Sequence, residues 1–134
     1  MASGIYERLK FNLMSKIVDL VNDTIKVLLL NNTHTFTSTH NVLSDVSANE
    51  ISGTGYISGG TALANKTVTQ ASSAKFDADD VSWNSATFTA YHAVLNNVTA
   101  SNNLICSIDF GGPITITSGT FTLVWDSAGI ITLN

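Results

Sequence analysis

Short β-type segments separated by turn signals fill the second half of the chain, and this succession constrains the fold more than any other feature. Alternating apolar and polar residues predict strands in TALANKTVTQ, SATFTAYHAVLNNV, LICSIDF, PITIT, TFTLVWDS and IITL, between residues 61 and 133. FDADDVSW, residues 76–83, reads as a turn that leads into a strand. Five or six short strands at this spacing predict a mainly β fold, either an antiparallel β-sandwich or a jelly-roll-like barrel.

The alternation also predicts which side chains share a face of each strand. In the longest segment the face consists of Ala86, Phe88, Ala90, His92 and Val94. In the next it consists of Leu104, Cys106, Ile108 and Phe110, opposite Ile105, Ser107 and Asp109. We therefore expect Cys106 to be a buried core thiol, and Asp109 to face water or a partner subunit.

The first half of the chain is less regular. Residues 1–22 form an amphipathic segment in which Ile5, Leu9, Leu13 and Ile17 recur every four residues, and this spacing predicts one short N-terminal helix. TIKVLLL, residues 24–30, is apolar on both faces, as expected of a strand between two layers. Residues 31–60 are polar and predict long loops with one short helix near residues 43–48. We expect residues 1–134 to form a single domain.

Charge is scarce and unevenly distributed. Only 12% of the residues are charged, the net charge is −4, and Ser, Thr and Asn make up 45 of 134 positions. All six Lys and Arg lie in residues 1–75, whereas residues 76–134 contain five Asp and no base. A nucleic-acid-binding face is therefore not expected, and one short apolar stripe favours docking on the chain's own sheet over a membrane. The single cysteine and the lack of a signal-peptide pattern favour the cytoplasm as the place of synthesis.

One triplet suggests phosphoryl transfer. Asp109-Phe110-Gly111 spells the magnesium-binding motif of protein kinases, but the sequence has no His-Arg-Asp loop and no Val-Ala-Ile-Lys strand. We interpret Asp109 as the end of a strand and Gly111-Gly112-Pro113 as the turn that follows it.

Three histidines are the other candidates for chemistry. His34 and His40 lie six residues apart in a Thr-rich segment, which is not the spacing of a zinc site, so we interpret them as isolated polar loop residues. His92 is expected to be a hydrogen-bonded core or interface histidine.

The acidic cluster Asp77, Asp79 and Asp80 reads as a solvated turn, with a bound cation as the open alternative. We predict no catalytic residue, no metal site and no cofactor, and therefore a binding or assembly role in place of an enzyme. A low-charge surface with aromatic residues such as Tyr6, Tyr56 and Trp83 suits contact with another protein.

Several segments, in order, resemble small virion structural proteins of tailed bacteriophages. They are NLMSKIVDLVNDTIKVLLLNNTHTF, DVSANEISGTGYISGG with the following TALANKTVT, FDADDVSW, AYHAVL, IDFGG and FTLVWDSAGIITL. Proteins of this group are similar to capsid decoration, or cement, proteins, which bind between capsomers of the mature head. The resemblance implies a β-sandwich or jelly-roll-like fold and no catalytic motif.

The resemblance also implies a role and a location. We expect a decoration protein that is assembled in the host cytoplasm, lies on the capsid surface and clamps adjacent major capsid subunits, as a homo-oligomer, dimer or trimer. Candidate contacts with the capsid or a second subunit are Tyr6, Arg8, Lys10, Lys16, His34, His40 and Tyr56. The alternatives are a neck, tail or baseplate subunit, and a carbohydrate-binding β-sandwich on a receptor-binding appendage.

Overall fold

The computed structural model describes residues 3–134 and is mainly β, with two antiparallel sheets and one α-helix, as predicted. The strands are β1 (Gly4–Ile5), β2 (Ile25–Leu30), β3 (Thr61–Ala62), β4 (Thr67–Gln70), β5 (Ala74–Asp77), β6 (Val81–Asn97), β7 (Asn103–Leu123) and β8 (Ile131–Leu133). The helix α1 spans Glu7–Met14, and two 3-10 helices span Leu43–Asp45 and Ser47–Asn49. The large sheet has the order β1-β7-β6-β2-β3 and the small sheet the order β4-β5-β8.

Both sheets are open. Over residues 3–134 the large sheet ends in the two-residue strands β1 and β3, and the small sheet ends in β4 and β8. The jelly-roll-like barrel predicted as one alternative is therefore wrong. The segment at 61–70, predicted as one strand, is divided between the sheets, since β3 pairs with β2 and β4 pairs with β5.

The turn predicted at Gly111-Gly112-Pro113 is also wrong, because β7 continues through it. The pairing of β6 with β7 passes from His92 opposite Asp109 to Ala90 opposite Ile114, so residues 110–113 form a bulge. Gly111 takes a φ of +79° there, a conformation that glycine adopts without a steric penalty. The glycines thus bend a continuous strand and do not end it.

The same irregularity reverses the face of β6. Ala86, Phe88 and Ala90 pack in the main core as predicted, but the next residues in that cluster are Ala93 and Leu95. His92 and Val94 therefore do not share the face of Ala90, and Val94 packs in a second cluster. A register shift after Leu95 likewise separates Leu104 from the face of Cys106.

Two apolar clusters lie against the large sheet. The main one combines Phe76 and Ile131 of the small sheet with Trp83 and Phe121 of the large sheet. The second comprises Tyr6, Leu28, Leu30, Val46, Val94 and Leu104. Because Val27 and Leu29 belong to the first cluster and Leu28 and Leu30 to the second, β2 is buried on both faces, as its sequence predicts.

Helix α1 is shorter than the predicted amphipathic segment because a C-terminal cap ends it after Met14. The N–H of Ile17 donates to the carbonyl oxygen of Asn12 at 2.9 Å, and that of Lys16 donates to Leu13 at 3.3 Å. This pair of bonds is the Schellman motif, which requires a left-handed residue. Lys16 takes that position with a φ of +59°.

The long segment between β2 and β3 contains two 3-10 helices where one short helix was predicted. Its second part is held by Glu50, whose carboxylate accepts hydrogen bonds from Tyr56 Oη at 2.5 Å, Ser58 Oγ at 3.1 Å and the N–H of Gly59 at 2.8 Å. Tyr56 Oη also accepts from the N–H of Leu29 at 3.1 Å, which ties the loop to β2.

Candidate interaction surface

An apolar cleft of about 490 Å³ lies between the N-terminal segment and the small sheet. The first wall is formed by α1 and residues 15–23, and the second by β4, β5 and β8. Its apolar lining consists of Leu9, Leu13, Ile17, Val18, Leu20, Val21, Val68, Ala74, Phe76, Ile131 and Leu133. We refer to this feature as the apolar cleft.

The early end of α1 creates the first wall. If the helix continued, Ile17 would fall on its buried stripe, but the cap at Lys16 turns the chain away and leaves Ile17 and Val21 exposed. Asp19 then fixes the next turn, since its Oδ1 accepts from the N–H groups of Val21 and Asn22, both at 3.1 Å. Hydrogen bonds from Asn22 hold the pKa of the Asp19 carboxyl below its usual value.

Exposed apolar side chains continue beyond the cleft. Met14, at the end of α1, is 91% exposed, and Phe11 one turn earlier is also exposed. Val68 on β4 and Leu133 on β8 are exposed across the cleft. Larger exposed apolar patches rimmed by polar residues are typical of surfaces that contact a protein, a membrane or a ligand.

The rim of the apolar cleft carries both signs of charge. Lys16, Asp19, Asp23 and Lys75 line it. Arg8, in contrast, is engaged inside the chain, because its Nε donates to Asn103 Oδ1 at 2.9 Å. An apolar floor with a charged rim can bind a complementary protein surface by burial, while the charges select its orientation.

A second cluster of polar groups lies under the segment that precedes the first 3-10 helix. His34 Nε2 is 3.1 Å from Ser107 Oγ, and the His34 ring meets the edge of the His92 ring at 4.9 Å between centroids. His92 Nδ1 lies 3.8 Å from Asp109 Oδ1. Burial, together with the neighbouring His92 and His40, lowers the pKa of His34 to about 4.

This histidine cluster has the contacts of a nucleophile and a base but not their accessibility. Ser107 is 2% exposed and His34 is 4% exposed, so a substrate cannot reach the hydroxyl. Cys106 beside them is a fully buried free thiol, as predicted, and burial raises its pKa to about 12. The arrangement holds the loop at His34 onto the sheet.

The prediction that His34 is an isolated polar loop residue is wrong. His34 is not an isolated loop residue but a buried one with a hydrogen-bond partner on β7. His40 is half-buried, and His92 lies against His34. Asp109 is exposed, as predicted, and its Oδ1 accepts from the N–H of Gly111 at 2.8 Å within the bulge.

The proposed contact residues do not form one surface. Lys10 and Lys16 are exposed, Arg8 and His40 are half-buried, and Tyr6, His34 and Tyr56 are buried. Burial raises the pKa of Tyr6 to about 12, and that of Tyr56 rises through burial and its bond to Glu50. The expectation of surface aromatics at Tyr6, Tyr56 and Trp83 is therefore wrong, since all three lie in the core.

The sequence does not predict that an apolar cleft forms between residues 7–23 and the small sheet. The four-residue spacing predicts Ile17 on a buried helical stripe, and Val68 is the only apolar residue between Lys66 and Gln70. Asp19, followed by Asn22-Asp23, is the sequence signal that could have predicted the end of the helix. Asp and Asn side chains bond to backbone N–H groups two or three residues further on, and this favours a local turn over a helix.

The acidic turn after β5 is an organised corner. Asp80 Oδ1 accepts from the N–H of Trp125 at 3.0 Å, and the Asp79 carbonyl oxygen accepts from Trp125 Nε1 at 2.9 Å. Asp79 Oδ2 accepts from Asn65 Nδ2 at 2.6 Å, and Asp77 lies 3.9 Å from Lys75. Within residues 3–134 no group of three or more His, Cys, Asp or Glu side chains is placed to hold a metal ion.

No family model, no curated protein and no solved structure matches the chain. Among the described residues, no helix has the length and apolar character needed to cross a membrane.

Proposed function

We propose that this chain is a structural protein of a phage virion, a capsid decoration protein that binds adjacent major capsid subunits on the outside of the head. The observation that carries the proposal is the apolar cleft with its exposed neighbours Phe11 and Met14. Together with the resemblance of the sequence blocks, it supports a role in binding another protein.

The proposed contact surface differs from the one expected from the sequence. Lys10 and Lys16 remain in it, because they are exposed and lie on the segment that forms one wall of the apolar cleft. They would meet acidic groups of the capsid, while the apolar side chains are buried against it. Tyr6, His34 and Tyr56 leave it because their burial makes them unavailable.

We also propose that the two sheets pack face to face as a β-sandwich. Its support is the main core, in which Phe76 of the small sheet and Phe121 of the large sheet belong to one cluster. A rigid two-layer body would hold the apolar cleft in a fixed shape, which lowers the entropy cost of binding.

The test is co-sedimentation of Val68→Asp with empty capsids of the phage that encodes the chain. Val68 lines the cleft and is 51% exposed, so the substitution leaves the core intact while placing a carboxylate in the proposed interface. Because an unpaired charge is costly to bury, we expect capsid affinity to fall about tenfold or more.

Val124→Asp is the matched control. Val124 is 57% exposed after the end of β7 and lies outside the cleft lining, so its substitution should leave capsid binding at the wild-type level. If wild type and Val68→Asp bind capsids equally, the apolar cleft is not the contact surface. If the wild type does not bind capsids, the capsid is not the partner.

A neck, tail or baseplate position is the second candidate, because the same cleft suits any virion partner. The copy number separates the two roles: we expect a decoration protein to be present in many copies per particle and a neck or baseplate subunit in few. Quantitative densitometry of purified virions measures it. The carbohydrate-binding alternative needs exposed rings in a cleft, but Tyr6, Tyr56 and Trp83 are buried. Phe76 in the cleft lining is buried as well, and the exposed ring of Phe11 lies outside that lining.

A further inference from the structure

One edge of β7 is covered over its first half and open over its second. Strand β1 pairs there with Cys106 and Ser107, and the carbonyl oxygen of Asn41 accepts from the N–H of Leu104 at 2.9 Å. Beyond Asp109, within residues 3–134, no strand pairs with this edge, while the other edge stays paired with β6 up to Leu123. We call residues 114–123 on this open side the outer β7 edge.

The outer β7 edge lacks the charges that usually protect such strands. Its sequence, ITITSGTFTL, contains no charged residue, and neither does the whole run from Phe110 to Trp125. Exposed edges of natural sheets are normally blocked by lysines, prolines or bulges, because their free N–H and C=O groups accept another strand. Here Pro113 lies before the edge, and a bulge at Ser118, with a φ of +47°, divides it into two short runs. Each run is uncharged and can pair with another strand.

Hydroxyl pairs join β6 and β7 across the exposed face of the ribbon that the two strands form. Ser82 Oγ lies 2.9 Å from Thr122 Oγ1, and Thr89 Oγ1 lies 3.0 Å from Thr115 Oγ1. Such cross-strand pairs stabilise the ribbon, and both pairs lie on its face and not along its open edge.

A second copy of this chain is the partner that fits best. An antiparallel edge is complementary to itself under a two-fold axis, because each strand offers the same alternation of N–H and C=O groups. Each copy carries a net charge of −4, and the outer β7 edge is a charge-free stretch where two copies can approach without repulsion. β1 already pairs antiparallel with this same side of β7, so a second strand would continue an existing ladder.

We propose that two copies of the chain associate through the outer β7 edge, forming one antiparallel sheet that is continuous across the dimer. The proposal does not rest on the capsid role, since the purified chain tests it without capsids.

The direct test is amide hydrogen exchange on the purified wild-type chain at two concentrations, combined with sedimentation equilibrium. Within residues 3–134 no strand pairs with the outward-facing amides of residues 114–123, so in a monomer these amides are open to water. We expect a dimer by sedimentation, and slower exchange in 114–123 at the higher concentration. A wild-type chain that remains monomeric, or a dimer without added protection in this segment, would overturn the proposal.

A pair of variants separates the edge from the exposed face of the ribbon. Thr117→Lys with Thr120→Lys places charges along the edge strand, and Ser82→Lys with Thr89→Lys places the same charges on the same face, one strand further in. We expect the first pair to weaken dimerisation about tenfold or more, and the second to leave it nearly unchanged.

Circular dichroism shows whether each variant is folded. If the second pair dissociates the dimer as strongly as the first, the face carries the contact and the edge assignment is wrong. If folded Thr117→Lys, Thr120→Lys protein dimerises as the wild type does, the assignment is also wrong. A variant that does not fold leaves the exchange measurement on the wild type to decide.

Discussion

At the residue scale, His34 connects the fold to pH. Its imidazole is buried, 3.1 Å from Ser107 Oγ, with His92 against its ring. Its pKa is lowered from 6.5 to about 4 by burial, and then by the nearby His92 and His40, while Asp109 acts in the opposite direction. The folded chain therefore holds this histidine neutral where an unfolded chain would protonate it.

Acid should destabilise the folded chain through His34. Between the unfolded value of 6.5 and the folded value of about 4, the unfolded state binds more protons, so stability falls as pH falls. We expect His34 to contribute a loss of up to about 3 kcal/mol in the free energy of unfolding across that range, at about 1.4 kcal/mol per pH unit. Urea unfolding of the wild type and of His34→Gln at pH 7, 5.5 and 4 measures it.

Carboxylates titrate in the same range, so the informative quantity is the difference between variants. His34→Gln should be less sensitive to acid than the wild type, because glutamine can bond Ser107 without taking up a proton. Thr35→Gln, at an exposed position next to His34, should keep the pH dependence of the wild type. Parallel pH profiles for His34→Gln and wild type would contradict the assignment.

At the element scale, the end of α1 depends on one lysine in a conformation that suits glycine. Lys16 has a φ of +59° at the C-terminal cap. A non-glycine residue pays about 1–2 kcal/mol for that conformation, so Lys16→Gly should stabilise the chain by about 0.5–1 kcal/mol. Lys10→Gly, inside α1, should destabilise it by about 1 kcal/mol. Thermal unfolding followed by circular dichroism measures both, and a loss of stability in Lys16→Gly would argue against the cap.

The sequence predicts the type of several elements better than it predicts where they end. Element type was predictable for β2, β6 and β8, where apolar patterns are long or bounded by turn residues. The end of α1 could not be predicted, because a lysine occupies the position where a glycine would have indicated a Schellman motif. The bulge at residues 110–113 was not predictable either, since two glycines and a proline suit both a turn and a bent strand.

The candidate site was harder to predict than the elements. The apolar cleft requires α1 to stop at Met14 and the small sheet to lie opposite it, and neither follows from a local pattern. Because the bulge shifts the β6–β7 pairing by three residues, an odd number, His92 turns away from the face of Ala90 and meets His34. The alternation of apolar and polar residues along one strand cannot predict which face His92 occupies, because a register shift by an odd number of residues exchanges the two faces.

At the scale of the whole molecule, the two sheets share one core and should unfold together. Phe76 of the small sheet and Trp83 of the large sheet belong to the same cluster, although no strand pairing joins the two sheets within residues 3–134. Loss of a buried phenylalanine costs about 3–5 kcal/mol, so Phe76→Ala should destabilise both sheets by the same amount. Val68→Ala on β4 is the control, and because Val68 is exposed it should cost less than about 0.5 kcal/mol.

Trp83 fluorescence can report on the large sheet alone if Trp125 is first replaced by Phe. In that background, the urea midpoint of Trp83 fluorescence should shift to lower urea on Phe76→Ala, and by the same amount as the midpoint measured by far-UV circular dichroism. Coincident transitions would mean that burial between the sheets couples them into one cooperative unit. If Phe76→Ala left the Trp83 midpoint in place, the small sheet would be an independent flap, and the apolar cleft between it and α1 would lose its rigid wall.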